Sequence, residues 1–242
     1  MKAKTTRVAA MQSIKTVNAL RGLQPLFLEG LMAPEIDAVV SCANERRFLG
    51  NSVIVNQGHP ADRLFLLTSG LARHFLISPA GQKIVLLWLT PGEIFGGPAL
   101  LSIPSNDLVS TEAVKNSCAL VWDRTTAREL ALRYPRLLDN ALLIAFNYLV
   151  AYRDIHIGLT WQSARQRLAQ MLVNLGNAIG KRVPQGIELD LTNDELANAA
   201  TLTPFTTSRL LGEWQRHGLL VKSRRKLLLR SPERLLMQES LS

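Results

Sequence analysis

The chain has 242 residues, 47% hydrophobic and 19% charged, enough for one large or two small folded domains and too apolar for wholesale disorder. Its two cysteines, Cys42 and Cys118, lie far apart, which excludes a disulfide scaffold or a cysteine-ligated cluster built by this chain alone. A net charge of +9 points to an anionic partner, nucleic acid above all.

Residues 1–24 carry five basic groups and no acid, and 1–22 are expected to form a mobile basic tail. The opening MKAKTTRVAAMQSIK lacks the apolar core of a secretory signal. No apolar stretch reaches the ~20 residues that span a bilayer. A cytoplasmic protein with no membrane role is expected. After Pro25, the spaced apolar positions from Leu26 to Val40 predict one or two short helices.

Residues 25–134 are nearly neutral, with a net charge of −1. Short apolar runs follow one another at Ser52–Val55, Arg63–Leu67, Leu71–Ile77, Ile84–Leu89, Val109–Ala113 and Cys118–Asp123. Turn signals such as Gly58-His59-Pro60, Ser69-Gly70 and Pro91-Gly92 separate them. Short strands at this spacing predict a sandwich or barrel, and about eight of them would make a jelly roll over 23–134.

Thr125 to Tyr134 reads as helical, and Pro135 suits the first turn of a long helix over 135–159. Leu138, Leu142, Ala145, Leu149, Tyr152, His156 and Leu159 recur at alternating spacings of four and three, the seam of a coiled coil. Ala141, Ile144, Tyr148 and Ile155 flank it. One face is expected to pack on the barrel and the other on a second copy of the chain. The alternative is a helix buried on all sides within one chain. A hinge is expected between Gly158 and Ser163, with Trp161 filling it as a packing element.

The back of the chain, 160–242, is basic, with a net charge of +5. Ser163–Ala178 is amphipathic, and Ile187–Leu191 alternates like a strand. Thr192-Asn193-Asp194-Glu195 is a capping box that opens a short helix to Ala200. Thr203 then suits an N-cap, with Pro204 first in a second helix that Gly218 stops. Leu210, Leu211 and Trp214 form its inner face, while Phe205, Thr206, Ser208, Arg209 and Arg216 point outward. Two short helices with a tight turn and an outward polar face predict a helix-turn-helix. Next, Leu219-Leu220-Val221, Lys222-Ser223-Arg224-Arg225-Lys226 and Leu227-Leu228-Leu229 read as strand, basic turn and strand. This is a hairpin wing whose four cations suit the phosphates beside a groove.

With these pieces in order, the chain resembles the Crp/Fnr superfamily of transcription regulators over about residues 24–232. The matching motifs are Gly58 to Leu67 with Ser69-Gly70, Pro91-Gly92-Glu93-Ile94-Phe95-Gly96 with Ala99-Leu100, Tyr134-Pro135, Arg165, Arg167 and Leu168, and the winged end from Leu191 to Leu229. The resemblance implies an α+β chain: a β jelly-roll sensor like a cyclic-nucleotide-binding domain, a long dimerisation helix, and a C-terminal winged helix-turn-helix. It implies a homodimer on double-stranded DNA with a palindromic operator, and RNA polymerase as a partner if the protein activates. It implies that Arg209 pairs with guanine, that Ser208 touches phosphate and that Thr192 opens a phosphate-contacting helix end. Thr203, Pro204, Phe205, Thr206, Lys222, Arg224, Arg225 and Lys226 complete the expected DNA surface. The family commonly carries Glu-x-x-Ser-Arg where this chain has Phe205-Thr206-Thr207-Ser208-Arg209, which implies an altered half-site.

In the sensor, the resemblance places an effector against Phe95, Gly96, Gly97, Pro98, Ala99, Tyr152 and Arg153. Members that bind cAMP have a glutamate at Gly97 and an arginine near Asp107. From Leu101 to Ala113 there is no Lys or Arg. A phosphate beside an acid and no cation is strongly disfavoured. cAMP is therefore not expected as the effector; the options are a small organic molecule in the jelly-roll pocket, another protein, or no effector, with no cofactor and no metal. Two alternatives remain: a haem-, gas- or redox-sensing regulator of the same fold, with His59, His74 or His156 as ligand, and a cyclic-nucleotide-responsive one. No catalytic residues are expected, because the chain has no His-x-His pair, Gly-x-Ser-x-Gly or phosphate-cradling loop.

Overall fold

Leu64, Phe65, Leu66 and Leu67 are all buried, although successive side chains of a strand point to opposite faces. Both faces of that strand must therefore be covered, and this organises the front of the molecule. The computed structural model describes residues 20, 22–79, 81, 83–223 and 225–240. The predicted basic tail lies almost wholly outside them.

Eight strands form two four-stranded sheets: β1 (Asn44–Phe48), β2 (Val53–Val55), β3 (Arg63–Ser69), β4 (Ala72–Ile77), β5 (Lys83–Leu89), β6 (Ile94–Phe95), β7 (Ser110–Ala113) and β8 (Ser117–Asp123). One sheet runs β1-β8-β3-β6 and the other β2-β7-β4-β5. Between them Phe65 and Leu67 meet Val55, Ala72, Leu89, Phe95 and Val121. On the opposite face, Leu64 and Leu66 meet apolar residues of the helices, among them Phe27, Val39 and Leu130. Each such leucine contributes roughly 1.5–3 kcal/mol by leaving water.

The helices of this part are a 3-10 turn at Leu26–Leu28, α1 (Ala33–Ser41), α2 (Arg124–Arg133) and α3 (Arg136–Trp161). The Trp122 indole donates to Val39 O at 2.9 Å, fixing α1 on the sheet. Asp123 caps α2, accepting from Thr126 N at 2.9 Å. Pro135 stands just before α3 rather than within it. On α3, Leu137 and Ile144 enter the helix-side core. The seam positions Leu138, Leu142, Ala145 and Leu149 are exposed, with Leu142 at 72% and Leu149 at 63%. That overturns the alternative of a helix buried on all sides. Ile155 is also exposed, and the side chain of Leu159 lies outside the described residues. Trp161 corrects a second expectation. It closes α3 and is 82% exposed rather than packed among the described residues.

The chain divides into two compact units. The first comprises residues up to Leu76 with Leu87–Ala151, and the second comprises Ile77–Leu86 with the residues from Tyr152 on. The second contains α4 (Ala164–Ile179), β9 (Lys181–Val183), β10 (Gly186–Leu189), α5 (Asn193–Ala200), α6 (Pro204–Arg216), β11 (Leu220–Ser223), β12 (Lys226–Leu229) and α7 (Pro232–Ser240). Its sheet runs β11-β12-β10-β9. Leu168, Leu172, Leu189, Leu210, Trp214, Leu227 and Leu235 are buried in it. No helix among the described residues is long and apolar enough to cross a membrane.

Candidate nucleic-acid interface

The predicted capping box is present at α5. Thr192 N donates to Glu195 Oε2 at 2.6 Å, and Glu195 N donates to Thr192 Oγ1 at 3.2 Å. The Thr192 hydroxyl also donates to the same carboxylate at 2.8 Å. Its hydrogen-bonding capacity is thus directed to the cap rather than outward. The turn after α5 passes through Thr201 in the left-handed region, with φ 53°. Leu202 N then returns to Ala197 O at 2.9 Å. Thr203 caps α6, accepting from Thr206 N at 3.1 Å, and Pro204 opens the helix. Gly218 leaves it at φ 71°, as a C-terminal glycine should.

The two faces of α6 differ sharply. Leu210, Leu211 and Trp214 are fully buried. Thr207 is buried with them, and its hydroxyl has no partner. Phe205 is 80% exposed, and Pro204, Ser208, Arg209, Gly212 and Arg216 are exposed beside it. Thr206 is half-buried and its hydroxyl bonds that of Thr203 at 2.9 Å. The outward row is the shape a recognition helix needs. Arg209 does not extend freely from it: Nη1 donates to Glu213 Oε1, one turn later, at 2.7 Å. Glu213 stands outside the expected DNA surface, although its spacing of four from Arg209 is a usable signal.

The wing forms where the basic run predicted it. Ser223 pairs with Lys226 across the turn, Lys222 with Leu227, and Arg225 sits at φ 61°. Arg224 lies outside the described residues. The Lys226 ammonium bonds Glu188 Oε1 at 3.1 Å. Arg225 is exposed, while Lys222 is half-buried and its backbone N–H goes to Gln215. Thr192 and Asn193 on one side, and Lys222, Arg225 and Lys226 on the other, line a shallow groove between the start of α5 and the wing.

The predicted effector residues fall in two places. Phe95 to Ala99 belong to the first compact unit, Tyr152 and Arg153 to the second. Phe95 and Ala99 are buried. The Phe95 ring stacks on Phe65 with centroids 4.6 Å apart, committing it to packing. Gly96 is at φ 74°, and a Cβ there would meet Arg63 O at 2.3 Å, so only glycine fits. Gly97 and Pro98 begin a 3-10 turn whose carbonyl end is held by Arg124 and Arg128. Arg153 is exposed and pairs with Asp154 at 2.7 Å, and burial pushes the Tyr152 phenol up. In the stretch that carries no Lys or Arg, the Asp107 carboxyl is pushed up to about 6 by burial and by Asp62.

His74 is buried, and its Nδ1 lies 2.9 Å from Thr111 Oγ1. Its ring meets Phe95 and Tyr148 edge-on, and burial lowers its pKa to about 4. This histidine packs as a neutral ring in the core, while His59 and His156 are exposed. Among the described residues no group of three or more His, Cys, Asp or Glu could hold a metal ion.

Comparison with known proteins agrees with this geometry. Residues 166–237 match the Crp-like helix-turn-helix domain and residues 45–134 the cyclic nucleotide-binding domain. The cyclic AMP receptor protein of Thermus thermophilus is 30% identical over 197 residues, which span 81% of this chain and 88% of that protein. The anaerobic regulatory protein of Pasteurella multocida is 23% identical over 77% of this chain and 68% of its own length. The structure of FixK2 from Bradyrhizobium japonicum superposes with a TM-score of 0.70 at 21% identity, covering 80% of this chain and 95% of that one. A buried helix pair with an outward recognition face, a basic wing and an eight-stranded sensor, matched across their length by such relatives, make this chain a member of the Crp/Fnr family of DNA-binding transcription regulators.

Proposed function

We propose that the protein acts as a homodimer that reads a palindromic operator, one recognition helix in each of two major grooves about 34 Å apart. The observation that carries this reading is the outward row of α6, with Arg209 on a helix whose inner face is sealed by Leu210, Leu211 and Trp214. Arg209 reads a guanine, Ser208 and the wing cation Arg225 contact phosphates, and the exposed leucines of α3 meet their counterparts in the second copy. The protein catalyses no reaction and works in the cytoplasm. When it activates, RNA polymerase is its further partner.

A small molecule other than a cyclic nucleotide controls it through the jelly roll. Its binding shifts the α3 packing and thereby the population of the DNA-competent state. The test is selection of genomic fragments on the full-length protein, followed by sequencing and by binding isotherms at several salt concentrations. A palindromic motif, with affinity that falls as salt rises, is expected. Random fragments, or a motif without two-fold symmetry, would refute the proposal.

A further inference from the structure

Glu213 divides its carboxylate between two arginines. Oε1 accepts from Nη1 of Arg209, on the same helix, at 2.7 Å. Oε2 accepts from Nη1 of Arg165, which comes from α4. The Arg165 guanidinium also lies over the Trp214 ring, 5.9 Å from its centroid, so it is set against the core of the domain. The exposure of the three side chains is graded: 21% for Glu213, 32% for Arg165 and 54% for Arg209. Arg165 first, and Arg209 after it, hold the Glu213 carboxyl below its ordinary range, so it is ionised at neutral pH. The carboxylate is anchored from within, and its outer oxygen acts on the more exposed guanidinium. Phe205, one turn before Arg209, has no acceptor to offer from the other side.

A guanidinium carries five N–H donors in a rigid fork, and bidentate pairing with guanine O6 and N7 uses two. One bond to Glu213 leaves enough donors for that pairing. It also removes rotational freedom that Arg209 would otherwise lose on binding. The negative charge beside Arg209 further weakens its sequence-blind attraction to phosphates. Both effects favour the correct base over other DNA.

We propose that Glu213, braced by Arg165, is a positioning residue that sets base specificity by orienting Arg209. This rests on the reading of Arg209 as the base-contacting residue.

The test uses full-length protein with three duplexes: the selected operator, the same operator with the contacted guanine replaced, and an unrelated sequence. In Glu213→Gln and in Arg165→Met, the preference for the operator over the replaced duplex is expected to fall about tenfold. Affinity for the unrelated duplex should hold or rise. Arg165→Lys should recover part of the preference, because a cation again meets Oε2. In an Arg209→Ala background, Glu213→Gln should cause no further loss. Equal weakening on all three duplexes, or additive losses in the double variant, would mark Glu213 as merely structural and overturn the proposal. If Arg209→Ala abolishes the preference while Glu213→Gln keeps it, the inference alone fails. If Arg209→Ala leaves the preference intact, the base-reading role of Arg209 fails and takes the inference with it.

Discussion

Tyr148 donates its phenolic hydroxyl to the carbonyl of Ile94 at 2.9 Å, tying the middle of α3 to the short strand that leads into Gly96 and Gly97. The same ring packs edge-on against His74. The hydrogen bond joins the long helix to β6, and the ring contact joins it to β4. Tyr148→Phe keeps the ring and removes the hydroxyl. Its expected cost is about 1 kcal/mol, read from urea denaturation. Amide exchange over 94–100 should accelerate if that bond restrains the segment.

Acid stability should show two opposed slopes. His74 is neutral in the fold, its pKa lowered from 6.5 to about 4. Unfolding takes up a proton there, so its contribution is present above pH 6.5 and lost as pH falls toward 4. Asp107 is raised from 3.8 to about 6, so the folded chain holds its proton longer, and stability falls as pH rises through that window. Asp107→Asn should therefore stabilise the protein at pH 7, on the order of 1 kcal/mol once solvent screening is allowed for, with no gain near pH 4. Urea midpoints from pH 4 to 7.5 measure both, and a gain independent of pH would contradict the assignment.

Thr207 is a defect in an otherwise satisfied helix. Its hydroxyl is buried with no partner, and Leu210, Leu211 and Trp214 are buried on the same helix. Thr207→Val removes the unpaired group at nearly constant shape and should raise stability by about 1 kcal/mol. A loss of stability in thermal melts would show that the hydroxyl has a partner in solution.

Phe205 is the clearest departure from the family's usual recognition sequence, and among the described residues it is 80% exposed. Phe205→Glu restores an acceptor that can pair with cytosine, whereas the phenyl ring can only touch apolar groups such as a thymine methyl. The base preferred in sequencing after selection should change at one position of each half-site. An unchanged motif would count against placing Phe205 at the DNA.

Local chemistry made part of this molecule legible from its sequence. The caps at Thr192 and Thr203, the stop at Gly218 and the wing at 220–229 rest on short-range rules that the fold does not override. The central strands could be read because they are buried on both faces. Two edge strands escaped for the opposite reason. β1 is Asn-Glu-Arg-Arg-Phe and β9 is Lys-Arg-Val, both largely exposed, so neither carries an apolar pattern. β6 has only two residues and exists through pairing with β3, and α7 opens at Pro232 in a short stretch with few apolar residues. Trp161 was misplaced because an apolar residue at a helix end says nothing about which surface covers it.

The outer strands of the basic domain carry a consequence for its solubility. β9 is only three residues long and presents Lys181 and Arg182 to solvent. On the other edge, the N–H of Lys222 in β11 is already taken by the side chain of Gln215 at 3.1 Å. Neither border offers an uncharged, unpaired ladder to a neighbouring polypeptide. Such borders discourage the sheets of two copies from fusing edge to edge.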